Sequence, residues 1–350
     1  MLTDPGTAPS IAASVELEHN DGGSLVSMRI GVTVDGTPNE EGVVVERALR
    51  SLGDIHFLTA DATLPARLEV ERPDIVLNLA RGEGNPERRL HVSAFLEYFA
   101  IPFTGSDSVT HATCVARARM KAALAAHGVP TASYAVIDRP SQLAPYARRA
   151  FPVSVRRERG VSSCHATLIA HDYDELESIV AELFGVSPEP VLIERFLPGE
   201  SFACGILGNG TTAVMLPAVG IPNDPFAPTA TSTGGVPLCA DGLAEEVESI
   251  ALRAFHALGC RDVARIDIRL SDSGVPNVCA VDTNPSLTRA GDQALVTAAR
   301  AAGLAEEELV QRCLLLAAER CGVNMPSAPP LPRLARRTPT AGTRIRSLAS

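Results

Sequence analysis

Residues 263–270 read V-A-R-I-D-I-R-L, and residues 280–285, which follow a Ser-Gly turn, read A-V-D-T-N-P. Side chains alternate between the two faces of a β-strand, so Arg265, Asp267 and Arg269 are predicted to share one face of the first strand. Two antiparallel strands joined by a short turn place facing residues side by side. The pattern therefore predicts a hairpin with one ionic face.

The return strand of this hairpin ends in Asp282 and Asn284, which are predicted to lie close to Asp267. Carboxylate and amide oxygens are the hard ligands that Mg²⁺ prefers, and they predict a nucleotide-bound magnesium site. Arg265 is the candidate catalytic residue, because a guanidinium can neutralise a phosphoryl group in transfer or the oxyanion of a tetrahedral intermediate. The alternative is a solvated polar hairpin in which Asp and Asn are only turn residues.

Two earlier stretches are candidates for nucleotide contacts. Residues 156–165 read R-R-E-R-G-V-S-S-C-H, a basic turn in which backbone N–H groups, Ser162 and Ser163 can close over a triphosphate. Residues 191–200 read V-L-I-E-R-F-L-P-G-E, a strand and Pro-Gly bend that can offer backbone groups to an adenine edge and Glu200 to a ribose. The alternatives are an exposed basic hairpin tip and a plain strand with a turn.

The rest of the chain alternates β and helical patterns, which predicts an α/β protein of three lobes. Residues 27–110 show a β-α-β pattern with a parallel sheet, 111–200 form a small central lobe, and 201–324 form a larger C-terminal lobe. Residues 1–26 and 325–350 are rich in small, polar or proline residues and are predicted to be disordered tails.

The composition excludes several classes of function. A net charge of -10 and an aromatic content of 4% without tryptophan argue against nucleic acid as a partner. No apolar run is long enough to cross a bilayer, and the first residues lack a secretory signal, so a cytoplasmic protein without membrane contact is expected. The eight cysteines have no metal-ligand spacing, which argues against a zinc site or a disulfide framework.

In chain order, these segments resemble the ATP-grasp superfamily and, within it, the D-alanine-D-alanine ligase branch. The resemblance covers about residues 28–322. It is carried also by N-L-A-R-G-E-G and F-L-E-Y-F-A-I-P-F-T-G-S-D within residues 78–107, by G-V-P at 128–130 and by F-P-V-S-V-R at 151–156. The fold that it implies is the α+β ATP-grasp fold, with the nucleotide between the central and C-terminal lobes.

The resemblance implies a role for each candidate residue. The implied metal ligands, for two Mg²⁺ ions with Mn²⁺ as an alternative, are Asp267, Asp282 and Asn284. The implied ATP contacts are Arg117, Arg156, Ser162, Ser163, Glu194, Arg195, Phe196, Leu197 and Glu200. The implied substrate contacts are Glu40 for an ammonium group, Arg81 and Arg289. Arg265 would stabilise the transferring phosphoryl group and the intermediate.

The sequence departs from the family mainly at its substrate end. The two ATP-contacting lysines of the family fall on Arg117 and Arg156, which keep the charge but change the donor geometry. The Tyr-containing loop over the second substrate is missing between residues 216 and 241. The Ser-Leu pair that receives a carboxylate is also missing, and Arg289 is its candidate substitute.

The resemblance implies an ATP-dependent ligase that joins an amino-acid-like carboxylate to an amine through an acyl phosphate, in a specialised biosynthetic pathway. Its partners would be two small-molecule substrates, and a homodimer through the first lobe, which is common in the family, is the assembly suggested. One alternative is a divergent D-alanine-D-alanine ligase. Another is a catalytically silent ATP-binding protein, which the arginines at positions 117 and 156 would suit.

Overall fold

The computed structural model describes residues 27–82, 85, 87–160, 167–221, 235–238 and 242–326. Both predicted tails lie outside this part of the chain, except for residues 325 and 326. Ser162 and Ser163 of the predicted phosphate loop also lie outside it. No helix within the described residues combines the length and the apolar character needed to cross a membrane.

The N-terminal lobe contains β1 (Arg29–Val34), α1 (Glu40–Leu49), β2 (Asp54–Thr59), α2 (Leu64–Glu71), β3 (Ile75–Asn78) and α3 (Arg88–Tyr98). The three strands form a parallel sheet in the order β2-β1-β3, which confirms the predicted β-α-β pattern. Helix α2 was not predicted. It buries only Leu64 and Leu68, one apolar position per turn, so its periodic signal in the sequence is short.

The central lobe follows with α4 (Ser108–Val115), α5 (Arg117–Ala126), β4 (Tyr134–Ile137), β5 (Val153–Arg157), β6 (Leu168–Ala170), α6 (Tyr173–Val186) and β7 (Val191–Arg195). Its strands form an antiparallel sheet in the order β4-β7-β5-β6. Helix α6 packs against this sheet in one hydrophobic cluster. Asp172 caps it by accepting a hydrogen bond from the Glu175 backbone at 2.9 Å, and its Leu176 and Val180 are fully buried.

The C-terminal lobe contains β8 (Ser201–Gly208), β9 (Val214–Met215), β10 (Val219–Ile221), β11 (Val236–Pro237), α7 (Gly242–Ala257), β12 (Asp262–Leu270), β13 (Pro276–Asp282), α8 (Gln293–Ala301) and α9 (Glu306–Cys321). Its antiparallel sheet has the order β11-β10-β8-β12-β13, and β9 pairs with β8. The predicted hairpin is β12–β13, in which Arg265 lies opposite Asp282. The sequence predicts Asp241 as the N-cap of α7, and this residue lies outside the described residues.

The N-terminal and C-terminal lobes share one hydrophobic core. Ile30 of β1 and Leu49 of α1 belong to the same buried cluster as Leu207 of β8, Leu295 of α8 and Leu314 of α9. This packing brings the carboxyl ends of β1 and β3 close to the end of β13. A cleft opens where these strand ends meet.

Candidate active site

Arg265 is the centre of the ionic face of β12–β13. Its side chain is fully buried, and its Nε and Nη2 atoms donate to Oδ1 and Oδ2 of Asp267 at 2.9 and 3.3 Å. Asp282 lies opposite Arg265 across the strand pair. Because residues two apart on a strand and residues directly opposite share a face, the three side chains lie on one face. This is the arrangement that the alternation predicts.

Asp292 adds a carboxylate that the sequence analysis did not select. It caps α8, where its Oδ1 accepts a hydrogen bond from the Leu295 backbone at 3.0 Å, while its Oδ2 accepts one from Nη1 of Arg265. Burial raises the pKa of Asp292, although Arg265 opposes this shift. Burial alone would lower the pKa of Arg265, but Asp267 and Asp292 outweigh it and raise that pKa. Arg265 is therefore a permanent cation fixed between two carboxylates.

Asp282 is held by an arginine from the N-terminal lobe. Its Oδ1 accepts hydrogen bonds from Nη1 of Arg89 at 2.5 Å and from the Asn284 backbone at 3.1 Å. Burial raises the pKa of Asp282, but Arg89 and Arg265 outweigh it and hold the pKa at about 2. Arg89 lies 193 residues before Asp282. No local pattern links the two residues, so this pair could not be predicted from the sequence.

The segment after β13 is anchored from two further sides. The amide nitrogen of Asn284 donates to the Ala80 carbonyl at 3.0 Å, and Nδ1 of His111 on α4 lies 2.6 Å from Oγ1 of Thr283. Burial and the positive charge of Arg89 lower the pKa of His111 to about 3, so the ring is neutral at physiological pH. Three elements of the first half of the chain therefore fix the end of β13.

The residues at this face fit a nucleotide-bound magnesium ion. Asp267 and Asp282 offer carboxylate oxygens, and Asn284 offers its amide oxygen because its amide nitrogen is engaged by Ala80. Within the part of the chain that the structure describes, no three His, Cys, Asp or Glu side chains form a metal cage by themselves. Mg²⁺ accepts such a partial set, because phosphate oxygens and waters complete its octahedral shell.

A cleft of about 550 Å³ lies beside this face, between the ends of β1 and β3 and the segment after β13. The polar side chains that matter most in its lining are Glu41, Arg81, Arg89, Asp282, Ser286 and Asp292. The cleft therefore joins the ionic face of the C-terminal lobe to the carboxyl edge of the N-terminal sheet. Ligands of open parallel sheets commonly bind at that edge.

Glu41, rather than the predicted Glu40, faces the cleft. Nη1 and Nη2 of Arg81 donate to the two Glu41 oxygens at 3.1 and 2.5 Å, and Oγ of Ser286 donates to Oε1 at 2.7 Å. Glu40 is exposed and lies outside the cleft lining. Successive helical residues point about 100° apart, so only one of the two can face inward. Burial lowers the pKa of Arg81, but the bond to Glu41 outweighs it and raises that pKa.

Arg289 is also placed differently from its prediction. It is exposed on the loop before α8 and does not line the cleft, whereas Gly291 and Asp292 do. The loop turns tightly here: a Cβ atom at Gly291 would lie 2.3 Å from Oγ of Ser286. The close packing of Gly291 brings the backbone against the cleft and leaves Arg289 outside it.

In the central lobe, the predicted ATP contacts Glu194 and Arg156 form a buried ionic cluster with Lys121. Oε1 of Glu194 lies 2.6 Å from Nζ of Lys121, and Oε2 accepts from Nε of Arg156 at 2.7 Å. Burial raises the pKa of Glu194, but Arg156 and Lys121 outweigh it, so the carboxylate is ionised. Lys121 was not selected from the sequence, although it stands four residues after Arg117 on α5 and so shares its face.

Arg117 is buried beside this cluster. Its Nη1 donates to the Arg157 carbonyl at 3.0 Å, and its backbone N–H donates to the Glu158 carbonyl at 3.1 Å. The exposed fraction is 2% for Arg117 and 7% for Arg156. Both arginines are therefore fixed at the inner side of the basic segment that precedes the undescribed residues 161–166.

The hinge between the central and C-terminal lobes contains the remaining predicted ATP contacts. Arg195 is exposed and paired with Asp272, at 2.9 Å, while Leu197 is buried. The guanidinium of Arg269 lies 5.3 Å from the centre of the Phe196 ring. These contacts hold the end of β7 against the β12–β13 hairpin.

The second half of the hinge is hydrogen bonded to β12. Gly199 donates its backbone N–H to the Leu270 carbonyl at 3.0 Å, and Leu270 donates to the Glu200 carbonyl at 2.9 Å. A Cβ atom at Gly199 would lie 2.6 Å from Cβ of Leu270, so this close approach requires glycine. The Glu200 side chain is exposed. It is therefore accessible to a ligand at the hinge.

Comparison with known proteins decides the family. The family model described as the D-ala D-ala ligase C-terminus matches residues 123–315, which is more than half of the chain. The chain belongs to the D-alanine-D-alanine ligase family. A D-alanine-D-alanine ligase from Saccharophagus degradans is 30% identical to this family member over 314 residues, which cover 84% of this chain and 96% of that protein. The ligase from Desulforudis audaxviator is 29% identical and is covered over 99% of its length.

Solved structures agree with this assignment. The crystal structure of a D-alanine-D-alanine ligase from Bacillus anthracis, complexed with ATP, matches with a TM-score of 0.65 and 25% sequence identity. The match covers 85% of this chain and 99% of that one. These findings confirm the predicted resemblance and the ATP-grasp fold. This family member is therefore an ATP-grasp carbon-nitrogen ligase.

Proposed function

We propose that this family member joins an amino-acid-like carboxylate to an amine through an acyl phosphate, using ATP and Mg²⁺, in a specialised biosynthetic pathway. The observation that carries the proposal is the shared face of Arg265, Asp267 and Asp282, which reaches the cleft through Asp282. Acidic oxygens and a fixed cation are what phosphoryl transfer requires, because the charge of the transferring group must be neutralised at one place.

The residues of this face have separate tasks. Asp267, Asp282 and Asn284 would hold Mg²⁺, which neutralises phosphate charge when it is bound. Arg265 is kept in one orientation by Asp267 and Asp292, so it presents a preorganised cation to a developing oxyanion. The cluster of Lys121, Arg156 and Glu194, beside the hinge, has two cations for one carboxylate, and its net positive charge would favour the rest of the nucleotide.

The proposed reaction has two steps. An oxygen of the substrate carboxylate forms a bond to the γ-phosphorus of ATP, and ADP leaves. The amine nitrogen then attacks the acyl carbon and loses a proton, and phosphate leaves with the former carboxylate oxygen and takes up that proton. Glu41, which the Arg81 and Ser286 contacts keep in position, is proposed to bind the ammonium group of the first substrate.

The position of Asp292 supports the proposal that the substrates are not two molecules of D-alanine. A helix N-terminus and a guanidinium are two groups that attract a substrate carboxylate. Here Asp292 caps the N-terminus of α8 and binds Arg265, so the protein supplies its own carboxylate to both groups. A second substrate carboxylate would meet the negative charge of Asp292. An amine without a carboxylate fits this end of the cleft better.

Purified protein with ATP, Mg²⁺ and a matrix of carboxylates and amines tests the proposal through ADP release. We expect release that depends on both a carboxylate and an amine, with amines that lack a carboxylate among the best acceptors. Reactions without the carboxylate are the control. Absence of ADP release under every pairing would contradict the proposal.

A divergent D-alanine-D-alanine ligase is the second candidate, and the names of the similar proteins favour it. ADP release that requires D-alanine alone would select this candidate. A catalytically silent protein would bind the nucleotide in calorimetry and release no ADP. The same matrix of substrates therefore separates the three alternatives.

A further inference from the structure

One oxygen of Asp282 is already saturated by the protein. Oδ1 accepts from Nη1 of Arg89 at 2.5 Å and from the Asn284 backbone at 3.1 Å. An ionised carboxylate has about four lone-pair sites on its two oxygens, so two bonds fill Oδ1. Only Oδ2 is left for a metal ion. A carboxylate that bridges two ions through both oxygens cannot form without breaking the contact to Arg89.

The other ligand atoms are also partly engaged. Each oxygen of Asp267 accepts one hydrogen bond from Arg265, at 2.9 and 3.3 Å. The two oxygens of Asp292 accept from Leu295 and from Arg265. The candidate ligand atoms are therefore a carboxylate oxygen of Asp267, which also accepts from Arg265, Oδ2 of Asp282 and the amide oxygen of Asn284. With phosphate oxygens and waters, this set completes the six-coordinate shell of one Mg²⁺ ion.

Arg89 brings a positive charge to the saturated side of Asp282. Its side chain is 2% exposed and lines the cleft, and its Nε donates to the Arg81 carbonyl at 3.2 Å. A guanidinium keeps its charge at every physiological pH and binds phosphate oxygens well. Arg89 therefore stands where a second ion bridged by Asp282 would bind.

We propose that this ligase uses one Mg²⁺ ion for each bound ATP and that Arg89 supplies the positive charge of a second ion. The inference rests on the proposed function, because it concerns the same nucleotide site. It replaces the two ions that the family resemblance implies. The structural basis is the Arg89–Asp282 pair, which is buried on both sides.

The number of bound ions tests the inference without any knowledge of the substrates. Mn²⁺ is titrated into the wild-type protein with a non-hydrolysable ATP analogue, and free Mn²⁺ is measured by electron paramagnetic resonance. We expect one nucleotide-dependent ion per chain. Two such ions would overturn the inference and leave the proposed function intact. No nucleotide-dependent ion would contradict both.

Arg89→Gln tests the role of the charge. The variant keeps a hydrogen-bond donor and removes the cation, so we expect a second Mn²⁺ site and a rate that falls at least about tenfold at low Mg²⁺ and recovers at high Mg²⁺. Arg88→Gln is the matched control, because Arg88 is exposed on the same helix. An equal loss at every Mg²⁺ concentration, with one ion still bound, would contradict a role for the charge. If Arg89→Gln does not fold, the wild-type ion count decides.

Discussion

At the scale of single residues, Asp282 connects the ionic face of the C-terminal lobe to the N-terminal lobe. It shares a face with Arg265 and is paired with Arg89 of the N-terminal lobe. For Asp282→Asn we expect ADP release to fall by at least about 100-fold, because a metal ligand and the partner of Arg89 are both altered. Asp272→Asn, in the exposed turn of the same hairpin, should change the rate less than about twofold. A rate near that of the wild type for Asp282→Asn would contradict the proposed role of Asp282 in the active site.

His111 gives a pH dependence of stability. The pKa of His111 is about 3 in the folded protein, against an ordinary value of 6.5. Between pH 3 and pH 6.5, His111 is therefore protonated in the unfolded chain and neutral in the folded protein. Stability therefore decreases as the pH falls from 6.5 towards 3, by up to about 1.4 kcal/mol per pH unit. His111→Gln keeps a partner for Thr283 and removes this titration. Urea unfolding without nucleotide should show a shallower pH dependence for the variant; parallel curves would refute the assignment.

At the scale of secondary-structure elements, β7 contributes Glu194 to a buried ionic cluster. Glu194 is buried between Lys121 of α5 and Arg156 of β5. Glu194→Gln leaves these cations without a counter-charge, so we expect the free energy of unfolding to fall by about 3–5 kcal/mol in chemical denaturation. The control is Glu189→Gln, because the Glu189 side chain is 50% exposed and lies 4.0 Å from Arg157. A loss for Glu194→Gln no larger than for the control would contradict the cluster.

Strands and helices in which side chains of one kind recur at a regular spacing could be predicted from the sequence. The β12–β13 hairpin follows from simple alternation, which also places Arg265, Asp267 and Asp282 on one face. Helix α2 has one buried residue per turn and gave no comparable signal. A resemblance of local motifs selected Glu40, but the orientation of α1 on the sheet decides that Glu41 faces the cleft.

Long-range partners could not be predicted at all. Arg89 and His111 reach the segment after β13 only because the lobes pack together. Asp292 stands at the start of a helix, where a cap is expected, yet its bond to Arg265 depends on how α8 lies against β12. The sequence therefore indicates the chemistry of the site, and tertiary packing decides which charges neutralise each other.

At the scale of the whole molecule, Asp262 joins three parts of the fold. Its buried carboxylate accepts from the Gly105 backbone at 2.8 Å, from Nδ2 of Asn209 at 2.8 Å and from Nη2 of Arg320 on α9 at 2.8 Å. Asp262→Ala removes the shared acceptor of these donors and leaves the charge of Arg320 without its counter-charge. We therefore expect the free energy of unfolding to fall by about 3–5 kcal/mol. Thermal unfolding would measure it, with Asp174→Ala, on the first turn of α6, as the control. Equal midpoints would show that the network is unimportant.

The homodimer through the N-terminal lobe stays a prediction that sedimentation of the full chain would test. The assignment of the family and the fold does not depend on it. The active site depends instead on the contact between the N-terminal and C-terminal lobes, which lie on two sides of one cleft. There, Asp282 of the C-terminal lobe meets Arg89 of the N-terminal lobe. The proposed reaction requires both lobes.

Transfer of an isotope from substrate to phosphate tests the central claim most directly. The carboxylate found active in the ADP assay is labelled with ¹⁸O in its carboxyl group, and the released phosphate is analysed by mass spectrometry. Activation as an acyl phosphate predicts one ¹⁸O atom in each phosphate formed during turnover. Phosphate without label, while the amide product accumulates, would contradict the account.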